Sequence, residues 1–209
     1  MDERPQPKSI GSGASSGGEN VAELASNFRS LLIAPPRAGR DYVRVAANAF
    51  VVHDGHVLLV EFLGGTDELH YNYPGGGVEL DESLEDAVRR EVREETTLEV
   101  HVERLLLVLQ SVSSRNTNTM LTGEVIPWNE VRFFFLCAPV DGLTQARLPD
   151  VPDDGQTGVC WAPLDDLASL DILPRVSEHL VAAVRDPALA PRIVPNPPHW
   201  GAGPRSDGS

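Results

Sequence analysis

The chain has 209 residues, which suits one compact domain with extensions, because domains typically run to about 100–200 residues. Hydrophobic residues make up 41% of it and charged residues 23%, an ordinary globular composition that excludes disorder throughout. The formal net charge of -14 argues against binding to a DNA or RNA backbone, which requires clustered lysine and arginine. An acidic protein that acts on a phosphorylated compound needs a positive mediator, and a divalent cation is the obvious candidate.

The N-terminal part of the chain divides into two predicted segments. Residues 1–20 are rich in glycine and serine and predict a flexible leader, because they cannot bury enough apolar surface to offset the entropy of ordering. Residues 21–42 contain a predicted amphipathic helix from Val21 to Ile33 and a linker, with Pro35 and Pro36 ending the helix. We interpret this helix as a packing or dimer-contact element, so a homodimer is among the expected states.

β-prone runs predict a sheet in the central part of the chain. Val43 to Val52 and His56 to Phe62 are joined through Asp54-Gly55, the strongest short hairpin signal in the sequence. The further strands are expected at Glu99–Val112, Val131–Val140 and Val159–Ala162.

A helix is predicted directly after a run of glycines. Pro74-Gly75-Gly76-Gly77 allows close backbone approach or positive φ. Ser83 then offers an N-cap with Asp86 three residues on, and the helical pattern continues to about Glu95. The other predicted segments are helices at Leu164–Leu170 and Arg175–Arg185, loops at Gly64–Tyr73 and Ser113–Asn129, and a Pro/Gly-rich disordered tail at 187–209. Strands with intervening helices predict an α/β domain over residues 43–186.

The cysteines and the apolar runs predict a cytoplasmic protein. Cys137 and Cys160 lie in apolar stretches without C-x-x-C spacing, which favours buried reduced thiols over a zinc site or a redox pair. The sequence shows no apolar N-terminal region of the signal-peptide type, and no run approaches the ~18 apolar residues that span a bilayer. We therefore expect no membrane association.

Three glutamates occupy unusual positions on the predicted Ser83–Glu95 helix. Advancing about 100° per residue places Glu91 and Glu95 within the apolar face and Glu94 at its margin. Ionised carboxylates held together at the edge of a core require a compensating cation, and hard divalent ions take such oxygen ligands. The alternative is a solvated acidic helix end, balanced by the arginines Arg89, Arg90 and Arg93.

These residues complete a longer motif. The sequence from Gly76 to Leu98 resembles the Nudix box, G-x5-E-x7-R-E-U-x-E-E-x-G-U, in which U is aliphatic. Its matching positions are Gly76, Glu82 and the run REVREETTL from Arg90 to Leu98. Every charged position of the pattern is filled. Thr97 stands where the family has the glycine that closes the helix, so some compensation in the turn is expected. The resemblance implies an α/β/α sandwich with a mixed β-sheet, in which the box forms a loop–helix–loop that holds Mg²⁺ or Mn²⁺.

The resemblance also assigns roles to individual residues. Arg90 matches the orienting arginine, and the base falls on Glu91 or on a neighbour such as Glu94. Asp154 lies in a stretch where some relatives supply a further acid, although a solvated acidic turn is the competing interpretation. The residues that match metal ligands, with Gly75 acting through its carbonyl, are Glu91, Glu94, Glu95, Gly75 and Asp154.

The implied function is hydrolysis of the pyrophosphate linkage in a small nucleotide compound by a metal-activated water. A nucleoside diphosphate derivative such as ADP-ribose or a nucleotide sugar is favoured. A house-cleaning nucleoside triphosphate pyrophosphohydrolase and a non-catalytic nucleotide sensor are the alternatives. The candidates to hold phosphate are Arg44, Arg115 and Arg132, and the candidates to stack on a base are Tyr71, Tyr73 and Trp128. Each of them also fits a role as surface charge or core aromatic.

Overall fold

The structure is a computed structural model that describes residues 43–63, 69–111, 129–142 and 144–195. The predicted leader, the predicted Val21–Ile33 helix and nearly all of the predicted Ser113–Asn129 loop lie outside these ranges. Within them, no helix is long and apolar enough to cross a membrane.

Nine strands of the described residues form one mixed sheet. They are β1 (Val43–His53), β2 (His56–Leu63), β3 (Leu69–Asn72), β4 (Gly75–Gly77), β5 (Val100–Ser111), β6 (Asn129–Pro139), β7 (Gln156–Pro163), β8 (Ile172–Leu173) and β9 (Arg192–Pro195). Their order across the sheet is β8-β3-β2-β1-β6-β5-β9, with β4 paired to β1 and β7 to β2. The pairs β1–β6, β3–β8 and β5–β9 are parallel, which confirms the predicted mixed sheet.

The hairpin between β1 and β2 forms where the sequence predicts it. Val52 pairs with Val57 and His53 with His56. The two loop residues, Asp54 and Gly55, have φ angles of 45° and 74°. Positive φ at both positions is what a type I′ turn requires, and this turn matches the twist of the flanking strands.

Two α-helices lie within the described residues, α1 (Leu84–Thr96) and α2 (Ser177–Arg185). α1 begins at the predicted cap, since the Ser83 hydroxyl accepts the Asp86 N–H at 3.1 Å. The predicted helix at Leu164–Leu170 is wrong, because only a 3₁₀ turn at Leu167–Ser169 forms there. Seven residues are too few to offset the cost of helix nucleation, and the Leu164 N–H is already bonded to the Gly55 carbonyl at 3.0 Å.

Two short strands correct the sequence-based predictions. Leu69–Asn72, predicted as loop, is β3 and pairs with β2 and β8. Arg192–Pro195, predicted as part of the disordered tail at 187–209, is β9 and pairs in parallel with β5. β9 pairs only with β5, and β3 pairs with β8 as well as with its sequence neighbour β2, so distant partners that local patterns do not reveal contribute to both. Pro195 is compatible with β9 because that strand lies at the edge of the sheet.

The helices cover opposite faces of the sheet. On one face, Ala87, Val88 and Val92 of α1 pack in one core cluster with Ala47 and Ala49 of β1. On the other face, α2 contributes to a second cluster that contains Leu180, Ala183, Phe50, Phe134, Leu107 and Leu109. This arrangement is the predicted α/β/α sandwich. The small side chains of β1 bring α1 close to the sheet, and so place its carboxylates beside β4.

Both cysteines are free thiols, as the sequence predicts. Cys137 is fully buried, and burial raises the pKa of its thiol to about 12. Cys160 is half-buried, and desolvation raises the pKa of its thiol to about 11. Thiols with such pKa values stay protonated and unreactive at neutral pH.

Candidate metal and catalytic site

Arg90 connects α1 to the loop that precedes it. Its Nε and Nη2 atoms donate to the two carboxylate oxygens of Glu82 at 2.8 and 3.0 Å, and Nη2 also donates to the Gly77 carbonyl at 2.9 Å. Its Nη1 donates to Glu91 Oε1 at 2.8 Å and to Glu94 Oε2 at 3.1 Å. The bonds to Glu82 raise the pKa of Arg90 and lower the pKa of Glu82, so both groups stay charged. Arg90 therefore fixes the loop, β4 and two box carboxylates relative to one another.

The glycines of β4 lie directly against the carboxylates of α1. In the pairing with β1, Gly76 is opposite Ala47 and Gly75 is opposite Asn48. A Cβ at Gly76 would overlap the Glu91 carboxylate, so glycine is what admits this side chain. Gly75 has a φ of +145°, a conformation that glycine adopts readily and other residues avoid. The close backbone approach expected from the glycine run is therefore present.

Glu95 is buried at the C-terminal end of α1, where only 8% of the residue is exposed. Its Oε2 accepts the N–H of Gly75 at 2.8 Å, and its main-chain carbonyl accepts the Gln156 Nε2 at 2.7 Å. The side chain of Glu91 is also largely enclosed, with 14% exposure. A solvated acidic helix end, the structural alternative, is therefore wrong for these two residues.

Desolvation raises the pKa values of both carboxylates, the largely enclosed Glu91 and the buried Glu95. Burial raises the pKa of Glu91, although the Arg90 guanidinium opposes this, and the charges of Glu94 and Asp153 raise it further. Burial likewise raises the pKa of Glu95 well above its ordinary value, and the charge of Glu91 adds to the rise. Desolvated carboxylates that repel one another are stabilised by a cation placed between them. A divalent ion would supply that charge.

The sequence predicts that Glu94 converges with Glu91 and Glu95, but in the structure it does not. Its side chain is 55% exposed and pairs with Arg90. Among the residues that the structure describes, no three acidic, histidine or cysteine side chains are grouped closely enough to hold an ion. The predicted convergence is seen for Glu91 and Glu95 only, because Arg90 holds Glu94. The donors nevertheless fit Mg²⁺ or Mn²⁺, which prefer carboxylate oxygens, provided that the exposed Glu94 side chain turns toward β4.

The predicted role of Gly75 involves its carbonyl, whereas the structure shows its amide. The Gly75 N–H is bonded to Glu95, which fixes the orientation of the carboxylate beside β4. The carbonyl role stays a prediction.

Asp153 lies in the turn before β7, where its charge raises the pKa of Glu91 on α1. Burial raises the pKa of Asp153, and the charge of Glu94 raises it further. Gln156 ties this turn to the helix, because its Oε1 accepts the Asp153 N–H at 3.2 Å while its Nε2 is bonded to the Glu95 carbonyl. Asp154, the sequence-based candidate, lies in the same turn; both residues are exposed to solvent, and Asp153 is only partly desolvated. The role of Asp154 as a ligand stays a prediction, and Asp153 is the better placed of the two.

Thr97 closes α1 in the position where the motif has glycine. It adopts the left-handed conformation, with φ 59° and ψ 10°, and its N–H donates to the Arg93 carbonyl at 2.9 Å. This conformation costs a residue with a Cβ about 1–2 kcal/mol. Thr96 supplies part of the expected compensation, because its hydroxyl donates to the Val92 carbonyl at 2.6 Å and accepts the Leu98 N–H at 3.3 Å.

Two of the three predicted phosphate-binding arginines are held by one buried acid. Arg44 Nη1 donates to Glu130 Oε1 at 2.8 Å, and Arg132 donates to Glu130 through Nε and Nη2, each at 3.1 Å. The exposures of the Arg44, Glu130 and Arg132 side chains are 12%, 0% and 7%. The third candidate, Arg115, lies outside the described residues, as does Trp128.

Tyr73 is a core aromatic, which contradicts its predicted role in stacking on a base. It is 1% exposed and contacts Phe50 and Phe134 through its ring. Its hydroxyl lies 2.7 Å from the Ser177 Oγ. Tyr71 is partly buried and packs against the same cluster.

Sequence reasoning missed Glu130, Asp153 and Gln156. A signal for Glu130 was present, because an acid and an arginine two residues apart at the start of an apolar strand lie on one face and require compensation there. Asp153 and Asp154 are equivalent in sequence, and only the folded turn distinguishes them. The contact of Gln156 with α1 has no local signal.

The NUDIX domain model matches residues 43–184, from the first residue of β1 into α2. The chain therefore belongs to the Nudix family of hydrolases, which confirms the resemblance. It also confirms the predicted class of enzyme, a pyrophosphohydrolase that acts on phosphorus-containing anhydrides. Members of this family generally use divalent metal ions and act on small nucleotide substrates.

Several solved structures share this fold. An ADP-ribose pyrophosphatase from Streptococcus suis 89-1591 is 21% identical with a TM-score of 0.52, over 73% of this chain and 100% of that one. A MutT NUDIX hydrolase from Burkholderia pseudomallei is 26% identical with a TM-score of 0.50, over 69% and 99%. A UDP-X diphosphatase is 19% identical with a TM-score of 0.53, over 86% and 76%. These similarities support the α/β/α fold, and the substrates in the names belong to those proteins.

Proposed function

We propose that this enzyme hydrolyses the pyrophosphate linkage of a nucleoside diphosphate derivative, with ADP-ribose or a nucleotide sugar favoured. The observation that carries the proposal is the pair formed by the largely enclosed Glu91 and the buried Glu95, which lie against the side-chain-free strand β4 and whose pKa values are raised by desolvation. A divalent cation would offset the repulsion between two such carboxylates. The names of two similar structures, an ADP-ribose pyrophosphatase and a UDP-X diphosphatase, support the substrate class.

Mg²⁺ or Mn²⁺ is the proposed cofactor, held by Glu91, Glu94 and Glu95, with the Gly75 carbonyl and an acid of the turn before β7 as further ligands. When bound, the ion supplies the positive charge that activates a water and neutralises phosphoryl oxygens. For the turn, Asp153 is our first choice and Asp154 the second. The exposed Glu94 carboxylate exchanges its bond to Arg90 for this role.

Side chains of the protein orient the catalytic carboxylate, accept the proton of the water and bind the phosphoryl groups. Arg90 orients the Glu91 carboxylate through the bond to Oε1 and leaves Oε2 available. Glu91 takes the proton of the attacking water, because its raised pKa makes it a better proton acceptor than an ordinary glutamate. Arg44 and Arg132 bind phosphoryl oxygens of the substrate.

A substrate panel with product identification tests the proposal. Purified protein is assayed with Mg²⁺ and with Mn²⁺ against ADP-ribose, nucleotide sugars, dinucleoside polyphosphates and nucleoside triphosphates. The expected products are a nucleoside monophosphate and a phosphorylated second moiety. Glu95→Gln should abolish turnover, whereas Glu99→Gln, which changes an exposed acid four residues on, should not. An unchanged rate in Glu95→Gln would count decisively against these assignments.

Nucleoside triphosphate hydrolysis, the alternative that the sequence leaves open, is the second candidate. Its product would be inorganic pyrophosphate, which the same panel distinguishes. Inactivity against every compound with both metals would instead favour a nucleotide-sensing regulator.

We further propose that the protein acts in the cytoplasm on a freely diffusing nucleotide. The expected homodimer is tested by light scattering of the full chain.

A further inference from the structure

Strand β4 separates groups of opposite charge. Successive residues of a strand point to opposite faces, so positions 76 and 77 face different sides. The Glu91 carboxylate fills the space of an absent side chain at Gly76, and the Arg44 guanidinium lies 3.3 Å from where a Cβ at Gly77 would stand. Because β4 has no side chains, only backbone separates the two charges. The Arg44 guanidinium therefore lies on the opposite side of β4 from the proposed metal site.

On this side of β4, the buried Glu130 carboxylate accepts hydrogen bonds from two guanidinium groups, those of Arg44 and Arg132. Arg44 and Glu130 are partners in the parallel pairing of β1 with β6, and Arg132 follows two residues later on the same face. Glu130 is thus the common hydrogen-bond acceptor of Arg44 and Arg132. Ser111 pairs with Glu130 from β5, and its buried hydroxyl has no hydrogen-bond partner among the described residues.

Arg44 makes one hydrogen bond to Glu130, whereas Arg132 makes two. Only Nη1 of Arg44 bonds to Glu130, so most of its N–H groups have no acceptor within the described part of the chain. Desolvation lowers the pKa of Arg44, and the bond to Glu130 opposes this only in part, because the charge of Arg132 lowers it again. A buried cation in this condition is stabilised by an anion, as the buried carboxylates across β4 are stabilised by a cation.

We propose that Arg44 binds a phosphoryl oxygen of the diphosphate substrate and that Glu130 is the positioning residue that holds Arg44 in place. This inference rests on the proposed function, since it names the second contact of the same substrate. Glu130 screens the repulsion between two buried guanidinium groups, and without it the more exposed Arg44 side chain turns toward solvent. Because Glu130 bonds only Nη1 of Arg44, the other nitrogen atoms of this guanidinium can donate to the substrate.

Binding of a non-hydrolysable diphosphate tests the inference. α,β-Methyleneadenosine 5′-diphosphate is titrated into the full chain with Mg²⁺ by calorimetry. Glu130→Gln should weaken its binding about tenfold, the effect expected for loss of a charged hydrogen bond. Asp165→Asn, which removes an exposed acid beside α2, is the matched control and should bind as the wild type does. The melting temperature of each variant is recorded.

A double-mutant cycle separates positioning from a general structural role. If Glu130 acts through Arg44, adding Glu130→Gln to Arg44→Gln should weaken binding no further. If Glu130→Gln does not fold, Arg44→Lys keeps the charge but loses the guanidinium fork, and it should weaken binding about tenfold.

The outcomes are distinct from those of the substrate panel. Unchanged binding in folded Glu130→Gln, unchanged binding in Arg44→Lys, or additive effects in the cycle would each overturn the inference, as would a wild-type protein that does not bind the probe. A wild-type protein that binds the probe in this way, yet hydrolyses nothing in the panel, would refute the proposed function and leave the anion subsite standing.

Discussion

Substitution of Gly76 by alanine should disable the metal site while leaving the fold intact. The new methyl group would stand 2.6 Å from Cδ and 2.7 Å from Oε2 of Glu91. Ordinary contact begins near 3.4 Å, so the carboxylate must move by about 1 Å, a displacement that can cost about 100-fold in rate. Gly76 has no positive φ, so alanine fits its backbone without strain.

Gly77→Ala is the matched control, because its methyl group would lie 3.3 Å from the flexible end of Arg44 and away from Glu91. Mg²⁺ affinity is measured by calorimetry, kcat on the substrate found in the panel, and unfolding by urea. We expect Gly76→Ala to lose metal affinity and about 100-fold in kcat. Gly77→Ala should keep the metal affinity of the wild type. Equal metal affinity in Gly76→Ala and wild type would refute the assignment of Glu91.

Three further predictions follow from the same region. Thr97→Gly should raise the free energy of unfolding in urea by about 0.5–1 kcal/mol, because glycine relieves the left-handed strain; a decrease would mean that the threonine side chain contributes more than the strain costs. In EDTA, the raised pKa values of Glu91 and Glu95 stabilise the fold below about pH 4.5, and this contribution is lost as the pH rises through the folded values. The free energy of unfolding should therefore fall toward pH 8, and fall less in Glu95→Gln; identical slopes would contradict the burial of this charge. Asp153→Asn should lower kcat about tenfold and Asp154→Asn much less, and the reverse order would restore Asp154 as the ligand.

Much of the site was predictable because its signals are local. The cap at Ser83, the extent of α1 and the glycine turn at Asp54-Gly55 all follow from residues within one or two turns of chain. The burial of Glu91 and Glu95 also follows, since helical periodicity assigns them to the apolar face. The short strands β3 and β9 were missed because their pairing with β8 and with β5 depends on segments distant in sequence.

The sequence by itself determined the family, the core of the sheet and the side chains that supply negative charge. Periodicity and motif spacing are properties of neighbouring residues, so they do not depend on how the rest of the chain folds. Only the tertiary structure decided where Glu94 points, which of Asp153 and Asp154 acts on the helix, and that Glu130 joins Arg44 to Arg132. These depend on hydrogen bonds and charges between segments far apart in sequence, whose approach is set by packing across the whole domain.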